Sequence, residues 1–387
     1  MTRLPGESTG GRRLRPAYLR VDLDAIRGNI SAIKQLIGSA TSIAPVVKAN
    51  AYGHGAVQVA RACIEADAEM LCVAIPDEGV NLREAGIDTP ILVLGPPDRD
   101  DLQPYFDHNL VATVSDTCHA AMLAEAARSC GRNASIHVKL DTGMGRHGAT
   151  PDVVAELAQM VAEEPLLRVE GVFSHLADGC DRDGTWNHHQ LRQFRAMVPE
   201  FGPLAGDPLL HIAASVGIVR MEESHFDMVR PGTLLYGVNS GYDEELMPEG
   251  IRPALSLICR VATIKRIAAG QPVGYGCTWR APRDSQIAVL PLGYADGYAR
   301  ALSNEADVLI GGRRCPVVGR VSMDAITVDV TDLDSVAVGD ETVLIGAQGE
   351  ERVTVEELAE RSQSIVEETL ARLTCRLPRI YIGRRDD

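Results

Sequence analysis

The stretch APVVKANAYGHGA, residues 44–56, ends a short apolar run on a lysine, Lys48. A polar segment with a tyrosine and two glycines follows, and the residues after it have the pattern of a helix. The stretch therefore predicts a strand that stops at Lys48, followed by a glycine-containing turn that leads into a helix. An ammonium group at the end of a strand raises the question of what it binds.

The same strand–turn–helix unit recurs from about residue 16 to residue 237. Eight apolar runs are candidate strands, and they begin at Ile43, Met70, Pro90, Leu110, Ala134, Leu167, Leu209 and His225. Amphipathic stretches lie between them, such as the one that opens on an N-capping Asp116 and stops at Gly131. Eight repeats in about 220 residues predict a (β/α)8 barrel, which typically has about 250 residues.

An open, doubly wound sheet is the alternative architecture, because a count of repeats does not show whether a sheet closes. No GxGxxG fingerprint follows the first strand, which argues against a Rossmann fold. Beyond residue 251 the pattern changes to short strand-like runs, with a single helical stretch that Thr354 would cap. We therefore predict an α/β protein with a disordered tail (1–15), a barrel (16–251) and a smaller, mostly β domain (252–387).

The composition excludes several classes of partner and compartment. The formal net charge is −15, which argues against binding to nucleic acid or to an anionic membrane. No apolar stretch approaches the roughly 18 residues of a membrane span, and the N-terminus lacks the apolar core of a signal peptide. The nine cysteines are scattered and never form a CxxC pair. Reduced thiols and a cytoplasmic location are the prediction.

The carboxyl ends of barrel strands build the active site of such folds. Here those ends carry a cationic and polar set: Lys48, Lys139, Arg146, His175, Ser215, Arg230 and Gly232. This set predicts a site for an anionic ligand. A metal site is not expected, because Asp141 is the only obvious strand-end carboxylate and the His188–His189 pair has no partner at metal-ligand spacing.

Lys48 has a specific interpretation in such a site. A lysine that is partly desolvated and close to other cations has a lowered pKa and can attack an aldehyde. This reaction would anchor pyridoxal 5'-phosphate, whose phosphate needs backbone amides, glycine and helix N-termini. Gly232, Thr233 and Ser215 could supply them. By spacing alone, a salt-bridge role for Lys48 at the end of the barrel is equally open.

Motifs along the whole chain resemble the bacterial alanine racemases. They are VVKANAYGHG, AYLRVDLDAIRGNI, VKLDTGMGRHG, GVFSHLADGC, MVRPGTLLYG, VGYGCTW, LPLGYADGY, GRVSMDAITVDV and CRLPRIY. The resemblance covers almost everything from Ala17 to Tyr381. It implies a pyridoxal-phosphate barrel followed by a β-domain, and a head-to-tail homodimer with shared active sites that acts on a small amino acid.

The resemblance also implies roles for single residues in holding the cofactor and in moving protons. Lys48 would hold the cofactor covalently and act as one of two bases, and Tyr275 from the partner subunit would be the second. The implied cofactor contacts are Tyr52, Ser215, Gly232 and Thr233 at the phosphate, Arg230 at the pyridine nitrogen and His175 next to Arg230.

Four further residues resemble the family's substrate-binding and entrance positions, and a fifth a modified lysine. Arg146 and Met323 would bind the substrate carboxylate, while Tyr294 and Asp324 would line the substrate entrance. Lys139 resembles a lysine that is carbamylated in some relatives and then orients Arg146.

The chemistry of racemisation is consistent with these roles. A single base would return its own proton to the same face of Cα, whereas two opposed bases give inversion. Tyr275 can serve as the second base if Arg230 and His175 stabilise its phenolate. Arginine does not readily give a proton to the ring nitrogen, so the ring stays a weak electron sink and transamination is suppressed. The result would be interconversion of L- and D-alanine, with D-alanine supplied to peptidoglycan.

Alternatives stay open for function and for several residues. Ala214 stands where relatives commonly carry asparagine, so a serine or broad-specificity racemase is one alternative, and a non-catalytic cofactor-binding protein is another. Cys375 stands where some relatives place a second phosphate-binding tyrosine. Taken alone, Tyr275 could be a turn residue, His175 a core histidine, and Arg146 and Lys139 ion-pair partners of Asp141.

Overall fold

The computed structural model describes residues 15–179, 183–202, 207–241 and 244–383. They divide into two compact units. The barrel unit comprises Ile26–Ala51 and Ala56–Arg252. The β unit comprises, of the described residues, 15–25, 52–55 and 253–383. Most of the predicted disordered tail, residues 1–14, lies outside the described residues.

The described strands are short. They are β1 (Tyr18–Asp22), β2 (Ser42–Ile43), β3 (Leu71–Val73), β4 (Ile91–Val93), β5 (Ala112–Val114), β6 (Ala134–Lys139), β7 (Leu167–Phe173), β8 (Leu209–His211), β9 (Met228–Val229), β10 (Leu255–Arg260), β11 (Thr263–Ile267), β12 (Pro272–Val273), β13 (Trp279–Arg280), β14 (Ser285–Leu290), β15 (Asp307–Ile310), β16 (Arg313–Pro316), β17 (Ile326–Asp329), β18 (Glu341–Gln348), β19 (Glu351–Val353) and β20 (Arg379–Ile382).

Helices follow most strands of the barrel unit and are few in the β unit. They are α1 (Leu23–Ile37), α2 (Lys48–Tyr52), α3 (Ala56–Glu65), α4 (Pro76–Glu84), α5 (Gln103–Asp107), α6 (Thr117–Cys130), α7 (Val154–Glu163), α8 (Thr185–Met197), α9 (Ser215–Arg220), α10 (Val355–Arg361) and α11 (Val366–Ala371). Among the residues described, none of these helices combines the length and apolar character needed to cross a membrane.

The eight strands β2–β9 form a closed parallel barrel. Regular parallel pairing joins β2 to β9, β3 to β4, and β5 through β8 in order. Isolated parallel bridges join the remaining neighbours: Val46 to Cys72, Leu92 to Val111 and Ala214 to Arg230. Because every strand has a neighbour on each side, the sheet has no edge. The predicted (β/α)8 barrel is confirmed, and the open-sheet alternative is wrong.

The composition of these strands follows from their position. The residues of β3, β4 and β5 are all buried, because helices cover a parallel barrel outside and side chains fill it inside.

The predicted start and end of helix α6 are confirmed. The Asp116 carboxylate accepts a hydrogen bond from the His119 amide at 2.8 Å, and Gly131 ends α6 in the left-handed conformation.

The β unit contains two main sheets. The larger has the order β16-β15-β18-β10-β1-β20, with β19 paired to β18, and the smaller has the order β11-β14-β17. Thr354 caps α10, as predicted, by accepting a hydrogen bond from the Glu357 amide. The expectation of a single helix in this region is wrong, because α11 follows α10 directly.

The N-terminal strand β1 lies in the larger sheet of the β unit. It pairs antiparallel with β10 and parallel with β20, near the other end of the chain. Residues 16–25 thus belong to the β unit, although the predicted limits assign them to the barrel. Arg15, which the predicted tail includes, forms an ion pair with the buried Asp296 and donates to the Pro291 carbonyl at 2.9 Å. These residues are ordered by long-range pairing, which a local pattern does not reveal.

Candidate active site

The chain after Lys48 forms a left-handed helical turn. Ala49, Asn50, Ala51 and Tyr52 have φ values of 52°, 54°, 54° and 49°. This conformation costs an L-residue about 1–2 kcal/mol, and none of the four is glycine. Strain of this kind persists only where the surroundings impose it, and it concentrates at functional sites. The strand that was predicted to stop at Lys48 ends earlier, at Ile43, and Lys48 begins the turn. The turn therefore marks the segment beyond β2 as a place where the surroundings impose an unfavourable backbone conformation.

Side chains hold this turn from both sides. The Glu78 carboxylate accepts hydrogen bonds from the Ala49 amide at 2.6 Å and from the Ala74 amide at 2.7 Å. The Asn50 side-chain oxygen accepts one from the Ala56 amide at 2.9 Å. Glu78 thus ties the residue after Lys48 to the end of the neighbouring strand β3. Sequence reasoning did not single out Glu78, because its partners are backbone amides and no motif marks it.

The predicted cations of the barrel unit lie close enough to shift one another's pKa values. Burial lowers the pKa of Lys139 to about 8, and the charges of Arg146 and Arg230 act in the same direction. Burial also lowers the pKa of His175 well below its usual value, with further contributions from Arg230, Arg146, Lys139 and Lys48. The structure therefore gathers these five residues at one end of the barrel and makes that end electropositive.

Arg230 is almost fully buried and is held by neutral groups. Its Nη2 donates to the carbonyl oxygens of Ser174 at 2.8 Å and Ile212 at 3.3 Å, and lies 3.4 Å from His175 Nδ1. Its Nη1 lies 2.5 Å from His211 Nδ1. Burial lowers the pKa of Arg230 to about 10, which leaves it protonated at neutral pH. Its hydrogen-bond partners among the described residues are carbonyl and imidazole groups, so it enters the site as an uncompensated cation.

Ser215 joins the two chain segments that the sequence assigns to phosphate. Its hydroxyl oxygen accepts hydrogen bonds from the amides of Gly232 at 2.9 Å and Leu234 at 3.1 Å. Ser215 begins α9, and Thr233 begins a 3-10 helix at the end of β9. The first amides of each helix have no acceptor within it, so two sets of donors come together beside Arg230. This arrangement suits a phosphate.

The loop after β6 carries Arg146 and is shaped by Asp141. The Asp141 carboxylate accepts hydrogen bonds from the amides of Gly143, Met144 and Gly145 at 2.9 to 3.1 Å. Pairing of Asp141 with Arg146 or Lys139 was the ordinary alternative for these residues. The structure instead gives the carboxylate a loop-forming role, although its charge still raises the pKa of Lys139 slightly against the effect of burial.

The other predicted site residues belong to the β unit. Tyr275 begins a short 3-10 turn between two glycines with positive φ, Gly274 (74°) and Gly276 (72°). Its side chain is 74% exposed, the largest exposed fraction among the bulky apolar and aromatic residues described. A Cβ at Gly274 would lie 3.2 Å from the Arg320 amide, so the turn packs against the segment that leads to Met323.

Tyr294 and Met323 lie in two segments of the β unit that are joined by backbone hydrogen bonds, and Asp324, next to Met323, accepts a hydrogen bond from Arg376 Nη2 at 2.5 Å. The Tyr294 amide donates to the Ser322 carbonyl and the Ala295 amide to the Met323 carbonyl, both at 3.1 Å. A Cβ at Gly293 would lie 2.1 Å from the Ser322 carbonyl oxygen, so only glycine permits this contact. Tyr294 and Met323 are exposed, 41% and 52%.

Tyr52 lies in a short segment, residues 52–55, that packs within the β unit. Tyr52 is buried, and burial raises the pKa of its phenol. Arg379 Nε donates to the Gly53 carbonyl at 3.0 Å. The Tyr381 hydroxyl sits so close to Gly55 that a Cβ there would lie 1.9 Å from it. The sequence placed Tyr381 only inside a motif, whereas the structure makes it a support of the Tyr52 segment.

Two buried histidines were missed. His137 and His211 lie in β6 and β8, are fully buried, and are joined by a hydrogen bond of 2.9 Å. The only available signal was an imidazole within an otherwise apolar strand, which is usually a core residue.

No group of three or more His, Cys, Asp or Glu side chains that could hold a metal ion occurs in the described parts of the chain.

A closed barrel with a strand-end lysine, a buried arginine and a double set of amides defines the class of barrel enzymes that use pyridoxal phosphate. Residues 21–240 match the family model of the alanine racemase N-terminal domain, and residues 254–381 that of the C-terminal domain. The chain belongs to the alanine racemase family. The predicted family and enzyme class are confirmed.

Individual relatives agree over almost the full length. The chain is 44% identical to the alanine racemase of Symbiobacterium thermophilum, over 96% of this chain and 98% of the relative. The crystal structure of alanine racemase from Streptomyces lavendulae is 35% identical, with a TM-score of 0.90, and covers 97% of this chain and 99% of that one. Alanine racemase from Bartonella henselae, with covalently bound pyridoxal phosphate, is 29% identical, with a TM-score of 0.86 over 95% and 99% of the two chains.

Proposed function

We propose that this protein interconverts L- and D-alanine with pyridoxal 5'-phosphate, by a mechanism with two bases. The observation that carries this proposal is the environment of Arg230. A protonated guanidinium is buried beside the amide donors around Ser215 and lies in the same electropositive cluster as Lys48. One site thus contains amide donors for a phosphate, a guanidinium for a basic ring nitrogen and a lysine amine for an aldehyde.

The residues of the barrel unit fit the cofactor. Of this unit, Ser215, Gly232 and Thr233 would hold its phosphate through amides and a hydroxyl. Tyr52, which belongs to the β unit, is the further phosphate donor that the family resemblance implies. Arg230 would donate to the pyridine nitrogen, and His175 would lie beside Arg230. Lys48 would form the covalent link. When bound, pyridoxal phosphate withdraws electrons from the substrate Cα and so acidifies its proton.

Lys48 and Tyr275 would then move the Cα proton. Lys48, which lies in the electropositive cluster of the barrel unit, would serve one face of the substrate. Tyr275 of the partner subunit would serve the opposite face. A tyrosine that is 74% exposed on a turn with two left-handed glycines is well placed to project into another subunit. The proposal therefore includes a head-to-tail homodimer with shared active sites.

Arg230 would keep the pyridine ring of the bound cofactor a weak electron acceptor. Because its pKa stays near 10, it holds its proton and leaves the ring nitrogen unprotonated. A carboxylate in place of Arg230 would instead favour a protonated ring nitrogen. The neutral ring is a weaker electron sink, which favours rapid return of the proton to Cα over loss of the amino group.

The substrate carboxylate would be bound by Arg146 and by the Met323 amide of the partner subunit. Tyr294 and Asp324 would line the entrance. Lys139 is the proposed site of carbamylation: its neutral amine would attack CO2, form an N–C bond and release one proton. A pKa near 8 makes that neutral amine available at physiological pH. The resulting carbamate would give Arg146 an anionic partner.

We also propose a cytoplasmic location, where the D-alanine produced would feed peptidoglycan synthesis. A broader substrate range is the second candidate, and Ala214 favours it. This residue forms a bridge with Arg230 and begins the α9 turn without a side-chain cap. A methyl group at this position removes a polar contact near the cofactor, so serine is the first alternative substrate to examine.

Chiral analysis tests the proposed function. The purified protein with pyridoxal phosphate is incubated with a panel of single L-amino acids, and both enantiomers are quantified. We expect L-alanine to reach an equal mixture first, with the Lys48→Ala variant inactive. Faster conversion of L-serine would assign the second candidate, and no conversion of any amino acid would refute racemase activity.

A further inference from the structure

The residues that hold Arg230 extend further into the barrel than the cofactor contacts require. Arg230 Nη1 lies 2.5 Å from His211 Nδ1, and His211 Nε2 lies 2.9 Å from His137 Nδ1. The three side chains form a continuous line of hydrogen bonds, and each is at most 2% exposed. The role proposed for Arg230 uses only the first member of this line.

The direction of each hydrogen bond follows from the chemistry of arginine. A guanidinium has only donors, so His211 Nδ1 accepts and carries no proton. The proton of neutral His211 is therefore on Nε2, and it is donated to His137 Nδ1. His137 in turn carries its proton on Nε2. Burial lowers the pKa of both histidines, that of His137 to about 3, which agrees with two neutral rings.

A glycine makes the contact between β6 and β8 sterically possible. His137 is in register with Gly171 of the intervening strand β7. A Cβ at Gly171 would lie 2.6 Å from two atoms of the His137 ring. Because Gly171 has no side chain, the imidazole crosses β7 and reaches His211. Phe173, two residues along β7, stacks flat on the His211 ring with centroids 4.8 Å apart.

His137 is costly to keep in this position. Its Nε2 has no hydrogen-bond partner among the described residues, and a buried, unpaired donor lowers stability. An apolar residue would avoid that cost but could not accept the His211 proton. What the imidazole offers at this position, and an apolar side chain does not, is the Nδ1 acceptor for His211.

We infer that His137 is a positioning residue: it accepts the Nε2 proton of His211, and so fixes the ring whose Nδ1 holds the Arg230 guanidinium. Gly171 is the position that permits this contact. The inference rests on the role proposed for Arg230 and deepens it. It assigns to two residues outside the cofactor site a part in keeping the ring nitrogen unprotonated.

Histidine protonation is measured first, by 15N NMR of the protein labelled in histidine, a readout that does not depend on catalysis. We expect His211 to show an unprotonated Nδ1 and a protonated Nε2, with the signals assigned from the His211→Asn variant. A proton on His211 Nδ1, or on both nitrogens, would overturn the inference whether or not the protein is a racemase.

Three variants then test the effect on Arg230. His137→Leu removes the acceptor, Gly171→Ala displaces the ring, and His137→Gln keeps an acceptor oxygen. The readout is pyruvate released per racemisation event, since transamination moves the amino group from alanine to the cofactor. We expect about a fivefold rise for the first two variants, the effect of one lost hydrogen bond, and little change for His137→Gln.

The comparison of His137→Leu with His137→Gln separates a hydrogen-bonding role from a packing role. A packing role alone predicts that the leucine and glutamine variants behave alike, and that outcome would overturn the inference. If His137→Leu does not fold, Gly171→Ala carries the test, because Gly171 does not need a positive φ and its alanine variant retains His137. An unchanged pyruvate ratio in Gly171→Ala would also overturn it.

Discussion

The hydroxyl oxygen of Ser215 accepts a hydrogen bond from the amide of Gly232 at 2.9 Å, and so joins the ends of β8 and β9. It accepts a second from Leu234 at 3.1 Å. These bonds fix the two chain segments whose other amides, together with the Ser215 hydroxyl, we propose for phosphate binding, so the site is built before the cofactor arrives.

Ser215→Ala should weaken cofactor binding by about tenfold, because the hydroxyl can no longer donate to the phosphate or hold the Gly232 and Leu234 segment in place. The measurement is titration of the cofactor-free protein with pyridoxal phosphate, followed by absorbance. Ser31→Ala is the matched control, since Ser31 is exposed on α1 and bonds only the Arg27 carbonyl in the described structure. Equal affinities for the two variants would contradict the proposed cradle.

Arg230→Lys should shift the reaction toward transamination. Lysine cannot reproduce the bonds to Ser174, Ile212 and His211, and an ammonium gives up its proton to a ring nitrogen more readily than a guanidinium does. We expect pyruvate per racemisation event to rise by about tenfold or more, measured with a coupled assay for pyruvate. A ratio equal to that of the unaltered protein would show that the guanidinium does not restrain the chemistry.

The pH dependence of stability should report the buried Lys139. Its pKa is about 8 in the folded protein, against 10.5 for an ordinary lysine. The charged form is therefore penalised in the fold, and the cost is complete below about pH 8 and disappears as the pH rises to 10.5. The change over that window is on the order of 3 kcal/mol.

Lys139→Met removes this titration. Urea unfolding in CO2-free buffer, from pH 7.5 to 10.5, should show the stability of the unaltered protein rising relative to the variant. The variant should have its largest advantage at pH 7.5. Parallel pH profiles for the two proteins would mean that Lys139 has an ordinary pKa.

Ala49→Val should destabilise the protein by at least about 1 kcal/mol more than the same substitution at an exposed helical position. Ala49 is exposed but has a φ of 52°, a conformation that β-branched residues strongly disfavour. Ala121→Val, at an exposed position of α6, is the control and should cost about 0.6 kcal/mol through helix propensity. Urea unfolding of both variants checks this, and equal losses would argue against a strained turn after Lys48.

Local signals in the sequence predicted the barrel well. Strand runs, the Asp116 cap and the Gly131 stop each depend on a few neighbouring residues, and all were found in the structure. The strand predicted to stop at Lys48 is shorter: β2 ends at Ile43, an isolated bridge follows at Val46, and Lys48 begins a turn. The left-handed turn after Lys48 could not be predicted, because alanine has no preference for that conformation and the turn is imposed by Glu78 and Asn50.

Long-range relationships were beyond the sequence patterns. His137 and His211 are 74 residues apart and meet because β7 presents a glycine between them. Strand β1 joins β20 from the opposite end of the chain, with no local sign of the pairing. The roles of Lys48, Tyr275 and the other site residues came from the family resemblance and remain predictions.

Exchange at Cα tests the two-base claim most directly. The Tyr275→Phe variant is incubated in D2O with L-alanine or D-alanine, and deuterium incorporation into each starting enantiomer is followed by NMR. We expect exchange from L-alanine to fall by about 10²- to 10⁴-fold, the usual effect of losing a general base, while Lys48 sustains exchange from D-alanine. Equal rates of exchange from the two enantiomers would contradict the assignment of Tyr275 as the second base.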